Sequence, residues 1–321
     1  MLYQLSYTPV GAGASKAWRG GRQGYPLPMA VCYRKGQFAK YARVHDPLAP
    51  NAIDPELLML AYRSGIFPMA DSRDDPEVFW VEPQRRAILP LDQFRCSHSL
   101  ARSLRRGRFR VTCNQAFAEV IAACAAPRRK AHDAQNDGSS GESWISDRIV
   151  ASYVRLHRLG HAHSIECWQS NANGADELVG GLYGVGFDRV FCGESMFSRM
   201  PDSSKVAMAW LVAALRRAGA TLLDCQFITP HLASLGAVEL SQKRYLALLK
   251  TAQEPYVADG LGDGLGDGKG LGEGDGLGVG AGLGAALALP AGFAELLADA
   301  AAAGSSSSPG NFIAQSLTQT S

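Results

Sequence analysis

Residues 177–198 read ELVGGLYGVGFDRVFCGESMFS, and this stretch decides the fold. It contains two β-like runs, 177–185 and 188–197, and the turn sequence Gly-Phe-Asp at 186–188 favours a hairpin between them. A third β-like run, HAHSIECW at 161–168, precedes them. Together the three runs predict a meander of antiparallel strands.

A helix and a further strand follow this meander. Apolar residues recur at helical spacing over 207–218, Asp202 or Ser203 supplies an N-cap, and Gly219 ends the predicted helix. The sequence TLLDCQFI at 221–228 reads as a buried strand that leads to a helix around YLALL. This order of elements resembles the N-acetyltransferase-like (GNAT) fold.

The chain divides into four predicted regions. Residues 1–48 are a variable lead-in, residues 49–140 a small mixed α/β N-terminal domain, and residues 141–252 the GNAT-like domain. Beyond them the composition collapses into Gly, Leu, Asp and Ala, so residues 253–321 are predicted to form a disordered low-complexity tail. The predicted fold class is therefore α+β.

Composition limits the partners and the location of the protein. A net charge of only +2 gives no global field for attracting a polyanion, so any nucleic-acid contact must come from a local basic cluster. Seven scattered cysteines without C-x-x-C spacing are typical of reduced thiols, and no apolar run reaches membrane-spanning length. We expect a cytoplasmic protein that acts as a monomer and has no membrane partner.

Five arginines fall within nine residues, namely Arg102, Arg105, Arg106, Arg108 and Arg110. A solvated basic face is the ordinary explanation of such a cluster. The alternative is a surface that positions a nucleic-acid backbone through charge-assisted hydrogen bonds to phosphates. The absence of interleaved acids favours this second interpretation.

Polar residues interrupt two of the apolar strands. Glu194 lies in FCGESMFS at 191–198, where its carboxylate fits either a functional site or a β-bulge whose polar groups satisfy the backbone. Asp224 and Gln226 lie two residues apart at the carboxyl end of a strand, so alternation points both to one face. Because burying such a pair without partners is costly, we expect a catalytic role for it.

The sequence predicts neither a metal nor a cofactor. His161 and His163 share a strand face without further ligands at metal spacing, so we interpret them as structural. A Walker loop and a G-x-S-x-G elbow are both absent, so nucleotide-driven and serine-nucleophile mechanisms have no support. The sequence FSRMPDSSKVA at 197–207 also lacks the glycine-rich turn with which typical acetyltransferases bind coenzyme A.

Several motifs in order resemble the leucyl/phenylalanyl-tRNA–protein transferase family. They are LLMLAYRSGIFPM, FWVEPQRRAILP, WISDRIVASYVRLHRLGHAHSIECW, ELVGGLYGV, FCGESMFSRMPDSSK and LLDCQFITPHLASLGA, which together span roughly 54–249. The resemblance implies a GNAT-like domain that transfers aminoacyl groups without coenzyme A. It also implies an aminoacyl-tRNA donor carrying Leu or Phe, with Met as a further candidate, an acceptor protein with N-terminal Arg or Lys, and a part in N-degron tagging.

The resemblance further implies roles for particular side chains. By analogy, the pocket for the leucyl or phenylalanyl group comprises Leu182, Phe191, Met196, Met208, Leu211 and Leu223, with Glu194 nearby. Trp144, Tyr62 and Tyr153 are the aromatic residues expected around the terminal adenosine of the tRNA. One departure is Met69, where the family often has a tryptophan, so a ring that could stack on a base is missing.

An aminoacyl ester is already activated, so its transfer needs a neutral amine, correct placement and oxyanion stabilisation, but no ATP. We assign these tasks to Asp224 and Gln226: Asp224 would orient Gln226, favour proton loss from the attacking amine and attract a cationic acceptor side chain. Since an amide is a poor base, pure positioning, with the terminal ribose hydroxyl moving the proton, stays open. Two other functions also stay open, an acetyl-CoA-dependent N-acetyltransferase and a non-catalytic tRNA-binding module.

Overall fold

The computed structural model describes residues 17–18, 52–75, 77–127, 143–254, 283–303 and 309–318. Apart from the two-residue strand β1 (Ala17–Trp18), the predicted lead-in lies outside the described residues. The glycine-rich repeat at 255–282 lies outside them as well.

A seven-stranded mixed sheet forms the centre of the described chain. Its strands are β4 (Arg85–Ile88), β5 (Arg110–Cys113), β6 (Ala162–Ser170), β7 (Asp176–Phe187), β8 (Val190–Ser198), β9 (Leu222–Gln226) and β10 (Val238–Ser241). They lie in the order β10-β4-β9-β8-β7-β6-β5, and only the β8–β9 pair is parallel. The predicted meander is confirmed as β6–β7–β8. Because β4 and β5 precede residue 140, this sheet takes strands from both sides of the predicted domain boundary.

A second, three-stranded sheet and nine α-helices complete the described residues. The small sheet joins β1 to β3 (Phe79–Val81) and β2 (Phe67–Met69). The helices are α1 (Pro55–Arg63), α2 (His98–Arg105), α3 (Phe117–Ala125), α4 (Asp147–Arg158), α5 (Ser203–Arg217), α6 (Pro230–Ser234), α7 (Gln242–Gln253), α8 (Leu289–Ala302) and α9 (Pro309–Thr318). Within the described ranges, no helix is both long and apolar enough to cross a membrane.

The large sheet is covered on both faces, and adjacent residues of a strand point to opposite ones. Leu182 packs into the hydrophobic cluster around α5, whose residues 206–215 are all buried. Its neighbour Tyr183 packs against Phe117 of α3 and Tyr153 of α4. The two faces therefore have separate cores, one around α5 and one around α3 and α4.

The prediction of a disordered tail needs correction over 283–303 and 309–318, which contain α8 and α9. Leu289, Phe293 and Leu296 of α8 are buried in the core around α5, and the ring of Phe293 lies 5.3 Å from that of Trp210. Averaging the composition over the whole glycine-rich region hid the apolar face of this helix. Burial of that face is what offsets the entropy of ordering it.

Candidate active site

Glu194 occupies a β-bulge in the central strand β8. The register pairs Tyr183 with Ser195 but Gly184 with Gly193, which leaves Glu194 as the extra residue. Gly184 permits the close strand approach, since a Cβ there would lie 2.3 Å from the carbonyl oxygen of Cys192. The bulge that the sequence offered as an alternative is thus present, and the Glu194 carboxyl bonds to other side chains.

Tyrosines surround the buried Glu194 carboxyl. Tyr153 Oη donates to Glu194 Oε2 at 3.2 Å, and the hydroxyls of Tyr62 and Tyr153 contact each other. Burial raises the pKa of Glu194 to about 8, against hydrogen bonds from Tyr62 and Tyr153 that lower it. Burial also raises the pKa of Tyr62, Tyr153 and Tyr183, so all three keep their hydroxyl protons at neutral pH. The Tyr183 hydroxyl has no hydrogen-bond partner among the described residues.

Asp224 of β9 is completely buried, and both of its carboxylate oxygens are occupied. Arg86 of β4 donates to it twice, through Nε to Oδ1 at 2.9 Å and through Nη2 to Oδ2 at 2.6 Å. The backbone N–H of Gln226 donates to Oδ1 at 2.9 Å, and the Tyr245 hydroxyl donates to Oδ2 at 3.0 Å. Four donors therefore satisfy the charge that would otherwise be costly in the interior.

Arg86 is held on every side of its guanidinium group. Besides Asp224, its Nη1 donates to the carbonyl oxygen of Gly65 at 3.0 Å. The rings of Phe67 and Tyr245 lie 4.8 and 4.5 Å from the guanidinium carbon, as in cation–π contacts. Burial alone would lower the pKa of Arg86, but the Asp224 carboxylate raises it above its usual value. The side chain is a permanent buried cation.

Gln226 joins the two carboxyl groups. Its backbone adopts φ of 56°, in the left-handed region that non-glycine residues rarely enter, while its N–H bonds to Asp224. Its side-chain Nε2 donates to Glu194 Oε1 at 3.1 Å. A continuous hydrogen-bonded chain thus runs from Arg86 through Asp224 and Gln226 to Glu194. We call these four residues the buried network.

The structure brings most of the predicted site residues together, but on two faces of the sheet. The six predicted pocket residues belong to one hydrophobic cluster against α5, with at most 1% of each exposed: Leu182, Phe191, Met196, Met208, Leu211 and Leu223. Tyr62, Tyr153 and Trp144 lie in the other cluster, the one that surrounds the tyrosine side of Glu194. Met69 is buried in that cluster too.

The five clustered arginines are all exposed: Arg110 begins the edge strand β5, and the others lie in α2 or in the turn between α2 and β5. Arg110 pairs with Asp176 of β7 at 2.8 Å, an acid that the local sequence did not reveal. Three strand spacings separate β5 from β8, and several residues of β7 lie between Asp176 and the Glu194 bulge. Strand geometry therefore places Arg110 roughly 20 Å from Glu194.

Sequence reasoning missed Arg86, Tyr183 and Tyr245. Arg86 stands directly before the apolar run Ala-Ile-Leu at 87–89, and a charge beside that run was the available signal. Tyr245 lies on the buried face of α7 and gave no signal beyond its apolar period. The interpretation of His163 as structural agrees with its position, since its Nδ1 lies 3.0 Å from Asn114 Nδ2 and burial lowers its pKa to about 4.

Buried carboxyl, guanidinium, amide and phenol groups meet at the centre of a covered mixed sheet, and burial raises the pKa of the Glu194 carboxyl and of the phenols around it. Such a group of side chains is typical of an enzyme active site. Residues 88–250 match the family described as leucyl/phenylalanyl-tRNA protein transferase, and residues 51–84 match the N-terminal domain of that family. The chain belongs to this family of aminoacyltransferases, so the resemblance noted in the sequence is confirmed.

Individual relatives agree with the family match. A Novosphingobium aromaticivorans protein named leucyl/phenylalanyl-tRNA--protein transferase is 65% identical over 284 residues, which cover 85% of this chain and 99% of the relative. A Rhizorhabdus wittichii protein of the same name is 56% identical over 202 residues, 63% of this chain and 76% of the relative. The similarity therefore extends over nearly the whole of the first relative.

Proposed function

We propose that this enzyme moves Leu or Phe, and also Met, from aminoacyl-tRNA to the α-amino group of proteins that begin with Arg or Lys. The transfer uses no ATP and no coenzyme, and it takes place in the cytoplasm as part of N-degron tagging by a monomeric enzyme. The observation that carries the proposal is the buried network in a chain of this family. Its amide and carboxyl groups are fixed in place before any substrate arrives.

Within this proposal, Asp224 acts as a positioning residue. Its two oxygens already accept four hydrogen bonds, so they are occupied and cannot also take a proton from the attacking amine. What they do instead is hold the backbone of Gln226 in its left-handed conformation. This geometry favours positioning over base catalysis, and the terminal ribose hydroxyl then moves the proton.

Gln226 and Glu194 are the groups that we assign to the substrate. The Gln226 amide can donate to the developing oxyanion once it exchanges its bond to Glu194. Glu194, with a pKa of about 8, is matched to an α-amine, whose pKa lies near 8, and can hold an amino group by a hydrogen bond. The tyrosines around Glu194 then face the terminal adenosine, and the cluster around α5 accommodates the donor side chain.

The donor range follows from apolar burial. A pocket built from leucine, methionine and phenylalanine side chains stabilises large apolar groups and differentiates poorly among them, by about 1–3 kcal/mol for closely related side chains. Leu, Phe and Met are therefore accepted, whereas polar amino acids lose the hydrogen bonds that they make in water. The exposed arginine cluster binds the phosphates of the tRNA.

The deciding experiment incubates the purified protein with phenylalanyl-tRNA or leucyl-tRNA and a peptide that begins with Arg, without ATP or acetyl-CoA. We expect the mass of the peptide to increase by one Phe or Leu residue. The same peptide with an acetylated amino terminus is the control and should stay unchanged. Bound tRNA beside intact peptide would instead identify a non-catalytic binding module, and a gain of mass only with acetyl-CoA would identify an acetyltransferase.

The assignment of residues is tested separately. Gln226→Ala and Asp224→Ala should each lower kcat roughly 10²-fold, the size expected when one fixed donor to an oxyanion is lost. Arg85→Ala is the matched control, because Arg85 neighbours Arg86 but is exposed and pairs with Glu239 at the surface. Rates of Asp224→Ala within a few fold of the unmodified enzyme would show that this assignment is wrong.

A further inference from the structure

α8 and α9, here called the C-terminal pair, lie outside both segments that match the family. α8 packs against α5 at a glycine: a Cβ on Gly292 would lie 2.6 Å from the carbonyl oxygen of Ala214. The ring of Phe293 packs at a tilt against that of Trp210 of α5, and Arg217 pairs with Asp299. The first helix of the pair is therefore closely fitted to the central helix of the molecule.

α9 extends this packing to α2, the helix that contains Arg102 and Arg105 and is followed by Arg106 at its C-cap. A Cβ on Gly310 would lie only 2.1 Å from the carbonyl oxygen of Leu104, so α9 touches the α2 backbone beside Arg105. Arg216 of α5 donates to the carbonyl oxygen of Ser316 at 3.3 Å and to that of Leu91 at 2.8 Å. The α9 helix is thus clamped between α5 and α2.

Arg108 and Arg110, the two arginines of the cluster nearest to β5, border the same helices. A cavity of about 290 Å³ lies beside the turn after α2, and Arg108 and Arg110 form part of its lining. Leu297 of α8 and Pro309 of α9 form another part. The C-terminal pair and the arginine-bearing segment therefore share one surface.

The arginine-bearing segment needs this support for two physical reasons. α2 has only eight residues, and isolated helices of that length are marginal in water. Five like charges within nine residues also repel one another. Packing from outside the segment is what can hold the charges together.

We propose that the C-terminal pair is a positioning element for tRNA binding, which fixes α2 and the following turn so that the arginines face one phosphate backbone. The inference rests on the proposed function, in which these arginines bind the tRNA. Fixing them in the free protein reduces the ordering entropy that binding would otherwise cost. The element acts on the body of the tRNA, since the proposed site of the transferred group and its adenosine lies roughly 20 Å from Arg110.

The test compares two donors in the Gly310→Val variant of the full chain. Phenylalanyl-tRNA carries the phosphate backbone, whereas phenylalanyl-adenosine carries only the reacting end. We expect KM for phenylalanyl-tRNA to rise about tenfold, with a shallower dependence of binding on salt, and kcat/KM for phenylalanyl-adenosine to stay within twofold. Gln315→Val is the matched control, because it places the same side chain at an exposed position of α9.

Several outcomes would overturn the inference. An equal loss with both donors would show that the pair supports only the fold, and no change with either donor would show that it supports nothing in the reaction. If Gly310→Val does not fold, the cavity-forming variant Leu317→Ala loosens α9 without a clash and is held to the same expectation.

Failure of the proposed function gives a different pattern from failure of this inference. If the unmodified protein transfers from neither donor, the proposed function is wrong. If transfer occurs but the double variant Arg105→Ala/Arg106→Ala leaves KM for phenylalanyl-tRNA unchanged, the arginine surface is wrong. If that double variant weakens binding and Gly310→Val does not, only the role of the C-terminal pair is wrong.

Discussion

At the scale of single residues, the interior of this enzyme contains a charge pair that is fully hydrogen bonded. The Arg86 and Asp224 side chains are at most 1% exposed, and the hydrogen bonds between them replace the hydration that each charge would have in water. Such a pair contributes little net stability compared with well-packed apolar residues, but loss of one partner leaves an uncompensated buried charge. Its value here is geometric, since Asp224 fixes Gln226 beside Glu194.

The first prediction concerns this pair. Arg86→Met should lower the free energy of unfolding by about 3–5 kcal/mol, because it leaves the Asp224 carboxylate buried without its main partner. Adding Asp224→Asn should restore part of the loss, since the buried charge is then absent. Urea denaturation of the two variants and of the exposed control Arg85→Met measures these changes. A loss for Arg86→Met no larger than that for Arg85→Met would contradict the prediction.

The second prediction concerns the pH dependence of stability through Glu194. Its pKa of about 8 in the folded protein lies above its ordinary value of 4.5, so between these values the folded state holds a proton that the unfolded state has lost. Stability should therefore fall as pH rises through this window, by up to about 1.4 kcal/mol per pH unit, and level off above pH 8. Glu194→Gln cannot titrate and should lack this component. The midpoints of urea denaturation at roughly pH 5, 6.5 and 8 measure this component. If the midpoint changed equally with pH in the unmodified protein and in Glu194→Gln, the prediction would be wrong.

At the scale of helices and strands, local signals in the sequence predicted what local interactions determine. The sequence Asp54-Pro55-Glu56 is typical of a helix start, and Asp54 caps α1 by accepting from the N–H groups of Glu56 and Leu57. Gly65, a typical helix stop, follows the helix at φ of 78°. The β7–β8 hairpin turns at Asp188, which adopts φ of 47°. Each of these features involves residues that are close in sequence, so composition and spacing were sufficient.

The same scale shows what local signals could not predict. The contact between Arg86 and Asp224 spans 138 positions of the chain, and that between Tyr62 and Tyr153 spans 91. The residues next to each of these side chains give no indication of which distant residue it contacts. α8 and α9 were missed for a related reason, since their apolar faces are buried only when they pack against α5 and α2.

The third prediction tests whether the C-terminal helix α8 belongs to the folded core. Phe293→Ala should destabilise the protein by about 3–5 kcal/mol, because it empties a buried ring position against Trp210. Leu297→Ala, on the same helix but 39% exposed, is the control and should change stability by about 0.5 kcal/mol or less. Chemical denaturation measures both. Equal and negligible effects would mean that α8 unfolds independently of the rest.

At the scale of the whole molecule, the buried network and the arginine cluster occupy different parts of the structure. The buried network lies on the central strands β4, β8 and β9, whereas the arginine cluster runs from α2 to the first residue of the edge strand β5. The sequence supplied most members of both groups, namely Asp224, Gln226 and Glu194 for one and the five arginines for the other. The sequence could not predict the distance between the two groups, because the strand order of the sheet depends on pairings between distant segments.

The last prediction follows from this separation. If the β5 edge binds the tRNA, each arginine that contacts a phosphate adds about 0.7–0.9 to the slope of log binding constant against log salt. The double variant Arg105→Ala/Arg106→Ala should therefore bind more weakly and lower that slope by roughly 1.4–1.8. Lys243→Ala/Arg244→Ala removes two exposed charges from α7, which follows β10 at the opposite edge of the sheet. Filter binding over roughly 50–200 mM salt should leave this control close to the unmodified slope, because its two charges lie outside the surface that we assign to the phosphates. Equal changes in both double variants would indicate attraction to net charge alone and would remove the arginine cluster from the site.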